Sequence, residues 1–315
     1  MFKPDLHRRE FLAGLSVASA AALAGVRPVN ATGEKGHGGL HLSSNEYSWK
    51  VFYERENRDF KASLETSLGD LVRSGLNGLE PGIEKAEEID RLAPLLKKYN
   101  LEMRSVYVNS TLHEPGQVKP SLEHILTVAR KAKVLGTRII VTNPSPIQWG
   151  GTENKNDTQL KSQAAALNRL GKELSVLGLK LAYHNHDIEL RNAAREFHHM
   201  MLATDPKLVS LCLDAHWVFR GAGNSSIALF DVVQLYGSRI IEIHLRQSKN
   251  KVWSETLEPG DIDYPALAAA LEKTGVKPHL VLEVAVEAGT PKTLGPVEAH
   301  RRSSEYARKV FAGFA

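Results

Sequence analysis

The stretch Leu181-Ala182-Tyr183-His184-Asn185-His186-Asp187 begins as an apolar run and finishes as a cluster of imidazoles and a carboxylate. Successive side chains of a strand alternate faces, so His184 and His186 point the same way, with Asp187 just past the end. Three later stretches share the design. Leu211-Cys212-Leu213-Asp214-Ala215-His216, Ile240-Ile241-Glu242-Ile243-His244-Leu245-Arg246 and Leu280-Val281-Leu282-Glu283 each run from apolar residues into a potential metal ligand. Four such strand ends pointed at one place would hold a divalent ion through His184 or His186, Asp214, His244 and Glu283. Mixed imidazole and carboxylate donors suit Mn, Co, Fe, Zn or Mg, not a thiolate-selected metal. The chemistry such a site supplies is Lewis-acid stabilisation of the enediolate formed when a carbon beside a carbonyl loses its proton.

Proton transfer needs groups of its own, and Glu283, His186, Glu189 and Glu80 are the candidates. Glu80 qualifies because it ends an earlier strand, Asn77-Gly78-Leu79-Glu80. His216 and Trp217 directly follow Asp214 and, with Arg246, are candidate substrate contacts. Trp149, Trp217 and Trp253 all fall in loops after strands, where an aromatic face stacks on a sugar ring. His198 and His199 are adjacent on a helical segment, point in different directions and read as surface residues.

The elements that must position these residues alternate along the chain. Strands are expected near 39–43, 77–80, 103–108, 138–142, 181–187, 211–216, 240–246 and 280–283. Helices are expected near 64–74, 86–99, 121–135, 159–177, 194–204, 227–236, 265–274 and 296–311, with a long loop before the first. Asp263 reads as an N-cap. Eight β-then-α units imply a parallel sheet, and over about 250 residues they favour a closed (β/α)8 TIM barrel. A doubly wound dinucleotide-binding sheet would carry a glycine fingerprint after its first strand, and none is present. Neighbouring strand ends of a closed barrel converge over one mouth, which is what four ligands distant in sequence require.

The chain has 315 residues, 42% of them hydrophobic, enough for a large core, and a formal net charge of only +4. Basic residues are interleaved with acids, so there is no nucleic-acid footprint and nucleic acid is not expected as a partner. Cys212 is the single cysteine; inside an apolar run it reads as a small packing residue. Residues 1–31 have the layout of a signal peptide: Arg8-Arg9 before Phe11-Leu12, an alanine-rich apolar stretch, and the small-residue ending Val29-Asn30-Ala31. The paired arginines resemble a twin-arginine signal, so the export machinery is an expected partner and the periplasm the expected location. A linker over 32–38 would then lead into a single barrel over 39–313.

The motifs Leu-Asp-Ala-His (213–216), Ile-His-Leu-Arg (243–246), Gly-Asp-Ile-Asp-Tyr (260–264) and Val-Leu-Glu (281–283) resemble the xylose isomerase-like TIM barrel superfamily of sugar isomerases and epimerases, which includes hydroxypyruvate isomerase, inosose dehydratase and AP endonuclease. The resemblance covers about residues 39–313. It implies that Asp214, His244 and Glu283 are metal ligands and that Arg246 contacts substrate. Sugar epimerases of this kind usually place a glutamate at the fifth strand. Here His184 of Tyr-His-Asn-His takes that place, a form similar to the inosose dehydratase-like branch, and Glu189 is close enough in sequence to restore an acid. The expected activity is a metal-dependent sugar isomerase or epimerase acting on an unphosphorylated sugar or sugar derivative. A lyase or dehydratase on a keto-sugar or keto-glycoside is the alternative, and a non-catalytic sugar-binding barrel comes after it. An AP endonuclease would need more histidines and a basic DNA-binding surface, neither evident here.

Overall fold

The computed structural model describes residues 39–315; the leader and linker expected over 1–38 lie outside the described residues. Eight parallel strands form one sheet: β1 (Leu42–Asn45), β2 (Gly78–Glu80), β3 (Ser105–Tyr107), β4 (Ile139–Thr142), β5 (Lys180–His184), β6 (Val209–Asp214), β7 (Ile240–Leu245) and β10 (His279–Leu282). Their order is β2-β1-β10-β7-β6-β5-β4-β3. The two end strands meet through parallel bridges at Gly78–Glu102 and Gly82–Tyr107. There the Leu79 N–H donates to Glu102 O and the Tyr107 N–H to Pro81 O, both at 3.0 Å. With the end strands bridged, the sheet is a nearly closed barrel and the expected (β/α)8 architecture is present.

The strands are almost wholly buried because helices cover their outer faces, which is why they read as unbroken apolar runs. The covering helices are α2 (Leu64–Arg73), α3 (Glu88–Tyr99), α4 (Pro115–Val134), α5 (Asp157–Val176), α6 (Arg191–Ala203), α8 (Ser226–Tyr236), α9 (Tyr264–Lys273) and α10 (Pro296–Val310). Their ends follow local chemistry. Asn156 and Gln159 form a reciprocal capping box at α5, and Asp263 accepts from the Ala266 N–H to cap α9.

Three details differ from the sequence expectation. The supposed loop after β1 is helix α1 (Glu46–Arg55), capped by Asn45 and burying Trp49, Phe52 and Tyr53; its charged residues hide an i, i+3, i+4 apolar stripe. Helix α4 starts at Pro115, six residues before the expected Ser121: Pro115 takes the first helical position, where a missing N–H costs little, and Pro120 is carried inside the helix. The third is a hairpin, β8 (Ser248–Lys249) with β9 (Val252–Trp253), turned by Asn250 and Lys251 in the left-handed region.

Candidate active site

Each ligand candidate arrives at the barrel mouth from its own strand. β5 ends on His184 and β6 on Asp214; His244 is the fifth residue of β7, and Glu283 directly follows β10. One donor atom from each of these four residues lies within 4.8 Å of all the others. Donors about 2.1 Å from a shared divalent ion lie roughly 3–4 Å apart, so small side-chain adjustments complete a coordination sphere. Two imidazoles and two carboxylates, all buried, are a donor set that fits a hard-to-borderline divalent cation. His184 stands in this group. His186 does not; its ring sits 4.9 Å from that of His184, on the solvent side, between Trp149 and Trp217.

Short local motifs fix these side chains. Asp214 caps the short helix α7 (Ala215–Gly221), its Oδ1 accepting the Trp217 N–H at 2.8 Å. That leaves Oδ2 toward the mouth, 3.5 Å from the Arg246 guanidinium. Asn185 ties β5 to β6, accepting the Asp214 N–H and donating to the Asp214 carbonyl. Arg246 is wholly buried; it forms an ion pair with Glu283 Oε1 at 2.8 Å and donates to the Glu283 carbonyl at 3.0 Å. Its guanidinium is stacked against Trp253 (4.3 Å) and Trp217 (5.0 Å).

The Gly-Asp-Ile-Asp-Tyr motif braces the end of β7. Tyr264 exchanges hydrogen bonds with the Arg246 backbone. Gln247 grips the Ile262 backbone, and Asp261 accepts from Ser248, Asn250 and Lys251. A Cβ at Gly260 would meet Ser248 O at 2.3 Å, so the close approach requires glycine.

The electrostatics separate the acids. Burial pushes the Asp214 carboxyl up to about 7 despite the attraction of Arg246. For Glu283, burial is outweighed by Arg246 and the His244 hydrogen bond, which hold it well below the usual carboxylate range. Burial lowers His186 to about 4 and His216 to about 2, so both imidazoles are neutral near pH 7. Arg246 Nη1, His186 Nδ1, both nitrogens of His216 and Trp253 Nε1 are buried without a partner. Buried orphaned donors and acceptors around a mouth are groups waiting for a polar ligand.

The remaining candidates lie outside this group of four, and Glu80 with Glu242 and His244 forms a second buried group whose donor atoms lie within 4.8 Å of one another. Glu80 is fully buried behind His244, with Oε1 3.0 Å from His244 Nε2 and accepting from Asn45 at 2.6 Å. Glu189 is 1% exposed, with one oxygen accepting from Asn143 and the other from the His186 N–H. Trp149 is 53% exposed and meets His186 edge-on at 5.1 Å. Cys212 is buried, as a packing residue should be, with Sγ 3.5 Å from His184 Nδ1. His198 is only half-buried and is bonded to the Tyr236 hydroxyl at 2.7 Å. A groove of about 650 Å³ on the outer helices, bordered by Arg191, Ala193, His198 and Asp231, contains none of the converging residues.

Several residues that shape the site carried no weight in the sequence reading. Glu242 had a signal: it stands at i in the i, i+2, i+4 series with His244 and Arg246, and so shares their face. Asn45, Asn143 and Asn185 had none, because an asparagine at a strand end reads first as a turn residue.

The chain matches the family model described as xylose isomerase-like TIM barrel over residues 68–310. It is 25% identical over 280 residues to the inosose dehydratase of Mesomycoplasma hyopneumoniae, covering 79% of this chain and 89% of that one. The solved sugar phosphate isomerase/epimerase of Parabacteroides distasonis superposes with a TM-score of 0.68 at 17% identity, over 91% of this chain and 99% of that one. D-allulose 3-epimerase from Methylomonas sp., solved with D-allulose, gives 0.65 at 14%, over 86% and 97%. At these identities the solved structures speak for the fold, and the family match for descent. A nearly closed parallel barrel, ligand candidates gathered at its C-terminal mouth and a family match across most of its length lead to one conclusion: the chain belongs to the xylose isomerase-like TIM barrel family.

Proposed function

We propose that this protein is a divalent-metal-dependent sugar isomerase or epimerase that removes a proton beside the carbonyl of an unphosphorylated sugar or sugar derivative. The observation that carries the reading is the convergence of His184, Asp214, His244 and Glu283 at the barrel mouth. These residues would hold Mn, Co, Fe, Zn or Mg, and the bound ion would supply Lewis-acid polarisation of the substrate carbonyl. Arg246 orients Glu283 through an ion pair and a hydrogen bond to its carbonyl, and offers its unpartnered Nη1 to a substrate oxygen. Glu283, ionised and 7% exposed, is placed to accept the carbon-bound proton. His186, neutral and facing Trp149 and Trp217, is the partner acid or base on the solvent side. His216, Trp217 and Trp253 contact the sugar. The unphosphorylated class is inferred from Arg220, whose guanidinium is doubly bonded to Glu287.

A second reading, a dehydratase or lyase on a keto-sugar or keto-glycoside, is favoured by a specific feature. His184 gives the centre an imidazole where sugar epimerases carry a carboxylate, and the chain resembles an inosose dehydratase along most of its length. Both readings share proton abstraction and part only afterwards. NMR of candidate sugars and oxidised sugars in D₂O with Mn²⁺ separates them. Deuterium incorporation that EDTA abolishes supports the shared step, and an absorbance band from an unsaturated product selects elimination. Metal and sugar binding without exchange would leave a non-catalytic barrel. Export to the periplasm through the twin-arginine route is proposed from Arg8-Arg9 and the apolar leader; Arg8→Lys with Arg9→Lys should retain the protein in the cytoplasm on fractionation.

A further inference from the structure

We propose that Cys212, His184 and His244 form a second cation site, one step deeper in the barrel than the mouth, that takes a thiolate-preferring ion such as Zn²⁺. The site stands on its own donors; only its competition with the mouth ion rests on the reading above. Cys212 precedes Asp214 by two residues on β6, so its side chain faces the same way from a lower position. One donor atom from each of Cys212, His184 and His244 lies within 4.8 Å of the other two, and all three residues are buried. Cys212 Sγ is 3.5 Å from His184 Nδ1. A tetrahedral ion with a Zn–S bond of about 2.3 Å and a Zn–N bond of about 2.0–2.1 Å sets its sulfur and nitrogen roughly 3.5 Å apart, so this edge needs no rearrangement.

Packing accounts for only part of the surroundings of Cys212. The residue belongs to a small apolar cluster with Ile139, Val141 and Ala182, as a buried small side chain should. Its remaining neighbours are donors. The thiol donates to Glu242 Oε1 at 3.5 Å, and the same oxygen is 3.5 Å from His244 Nε2, where a carboxylate can supply a fourth bond. His244 Nε2 and Glu242 Oε2 belong to residues with 0% exposure and have no hydrogen-bond partner. Orphaned buried atoms beside a thiol are groups that a bound ion would satisfy. The two donor sets differ in softness: carboxylates join the imidazoles at the mouth and suit Mn²⁺, whereas a thiolate joins them below and suits Zn²⁺. Both sets draw on His184 and His244, so an ion held by Cys212 competes with one held by Asp214 and Glu283.

The test titrates the Mn²⁺-loaded protein with Cd²⁺, a softer stand-in for Zn²⁺ whose thiolate complex absorbs in the ultraviolet. Cys212 is the single cysteine, so a thiolate-to-metal band reports this residue alone. One equivalent of Cd²⁺ should produce the band and release Mn²⁺, followed by electron paramagnetic resonance. Cys212→Ser and Cys212→Ala should lose the band, keep their Mn²⁺ affinity and bind Zn²⁺ over about 100-fold more weakly by calorimetry, beyond the range that partners outside the ligand set command. Should neither variant fold, the band in the wild-type protein decides the matter. No band at stoichiometric Cd²⁺, or unaltered Zn²⁺ affinity in the variants, would overturn the inference; Mn²⁺ fully retained beside the band would overturn the competition. A wild-type protein that shows the band yet binds no Mn²⁺ supports the deeper site and overturns the mouth reading.

Discussion

Strands β5, β6, β7 and β10 bring His184, Asp214, His244 and Glu283 to the mouth, whereas β1 to β4 end on or beside Asn45, Glu80, Tyr107 and Asn143. The first half of this comparison carries the ligand candidates; the second carries groups packed against and bonded to them. Asn45 fixes Glu80, and Glu80 faces His244. Tyr107 lies edge-on to His184 at 5.3 Å and tilted against His244 at 6.4 Å. Asn143 donates to the His184 carbonyl at 2.9 Å and to Glu189 at 3.1 Å.

Substitutions in the two halves should therefore differ in kind. The largest effect belongs to the donors: Asp214→Asn or His244→Ala should remove bound ion and slow proton exchange by roughly 10³-fold, equivalent to about 4 kcal/mol. Bound metal measured by mass spectrometry and exchange rates in D₂O check it. Equal losses from supporting positions would break the distinction between the halves.

Acid should also loosen the packing beneath α1. His300 on α10 stacks on Trp49 at 3.9 Å, is bonded to Pro296 O at 2.7 Å and lies 3.2 Å from the Ser48 hydroxyl. Burial lowers it to about 4. A depressed imidazole contributes stability that is present above its ordinary value near 6.5 and is lost as pH falls toward 4. That is worth roughly 3 kcal/mol across the window. Urea midpoints should drop from pH 7 to pH 4, and His300→Gln should flatten that dependence.

Asn143→Ala is expected to cost about 1–3 kcal/mol in urea unfolding, because it leaves the His184 carbonyl and one Glu189 oxygen short of a donor. Metal should still bind. The smallest effect is at the rim: Trp149→Ala should raise KM by about 3- to 10-fold, around 1 kcal/mol of stacking, with kcat unchanged.

The convergence of His184, Asp214, His244 and Glu283 was legible in the sequence, and the supporting half largely was not. An apolar run ending on His, Asp or Glu is a pattern visible within six residues, and the closed barrel supplies the convergence. Glu80 illustrates the limit. Its position at a strand end was readable, yet whether it faces the mouth or the inner side of His244 depends on the stagger of neighbouring strands, which no single stretch records. Glu189 shows the same limit in a loop: proximity in sequence placed it near His186, but the bonds to Asn143 and to a backbone N–H emerge only in three dimensions. Helix α1 was hidden because its charged face outnumbers Trp49, Phe52 and Tyr53.

Anomalous diffraction from crystals soaked in Mn²⁺ addresses the shared ion most directly. The account predicts one peak, about 2.0–2.3 Å from a donor atom of each of His184, Asp214, His244 and Glu283. No peak at the mouth, or a peak bound by Glu80 and Glu242 in place of Asp214 and Glu283, would contradict it.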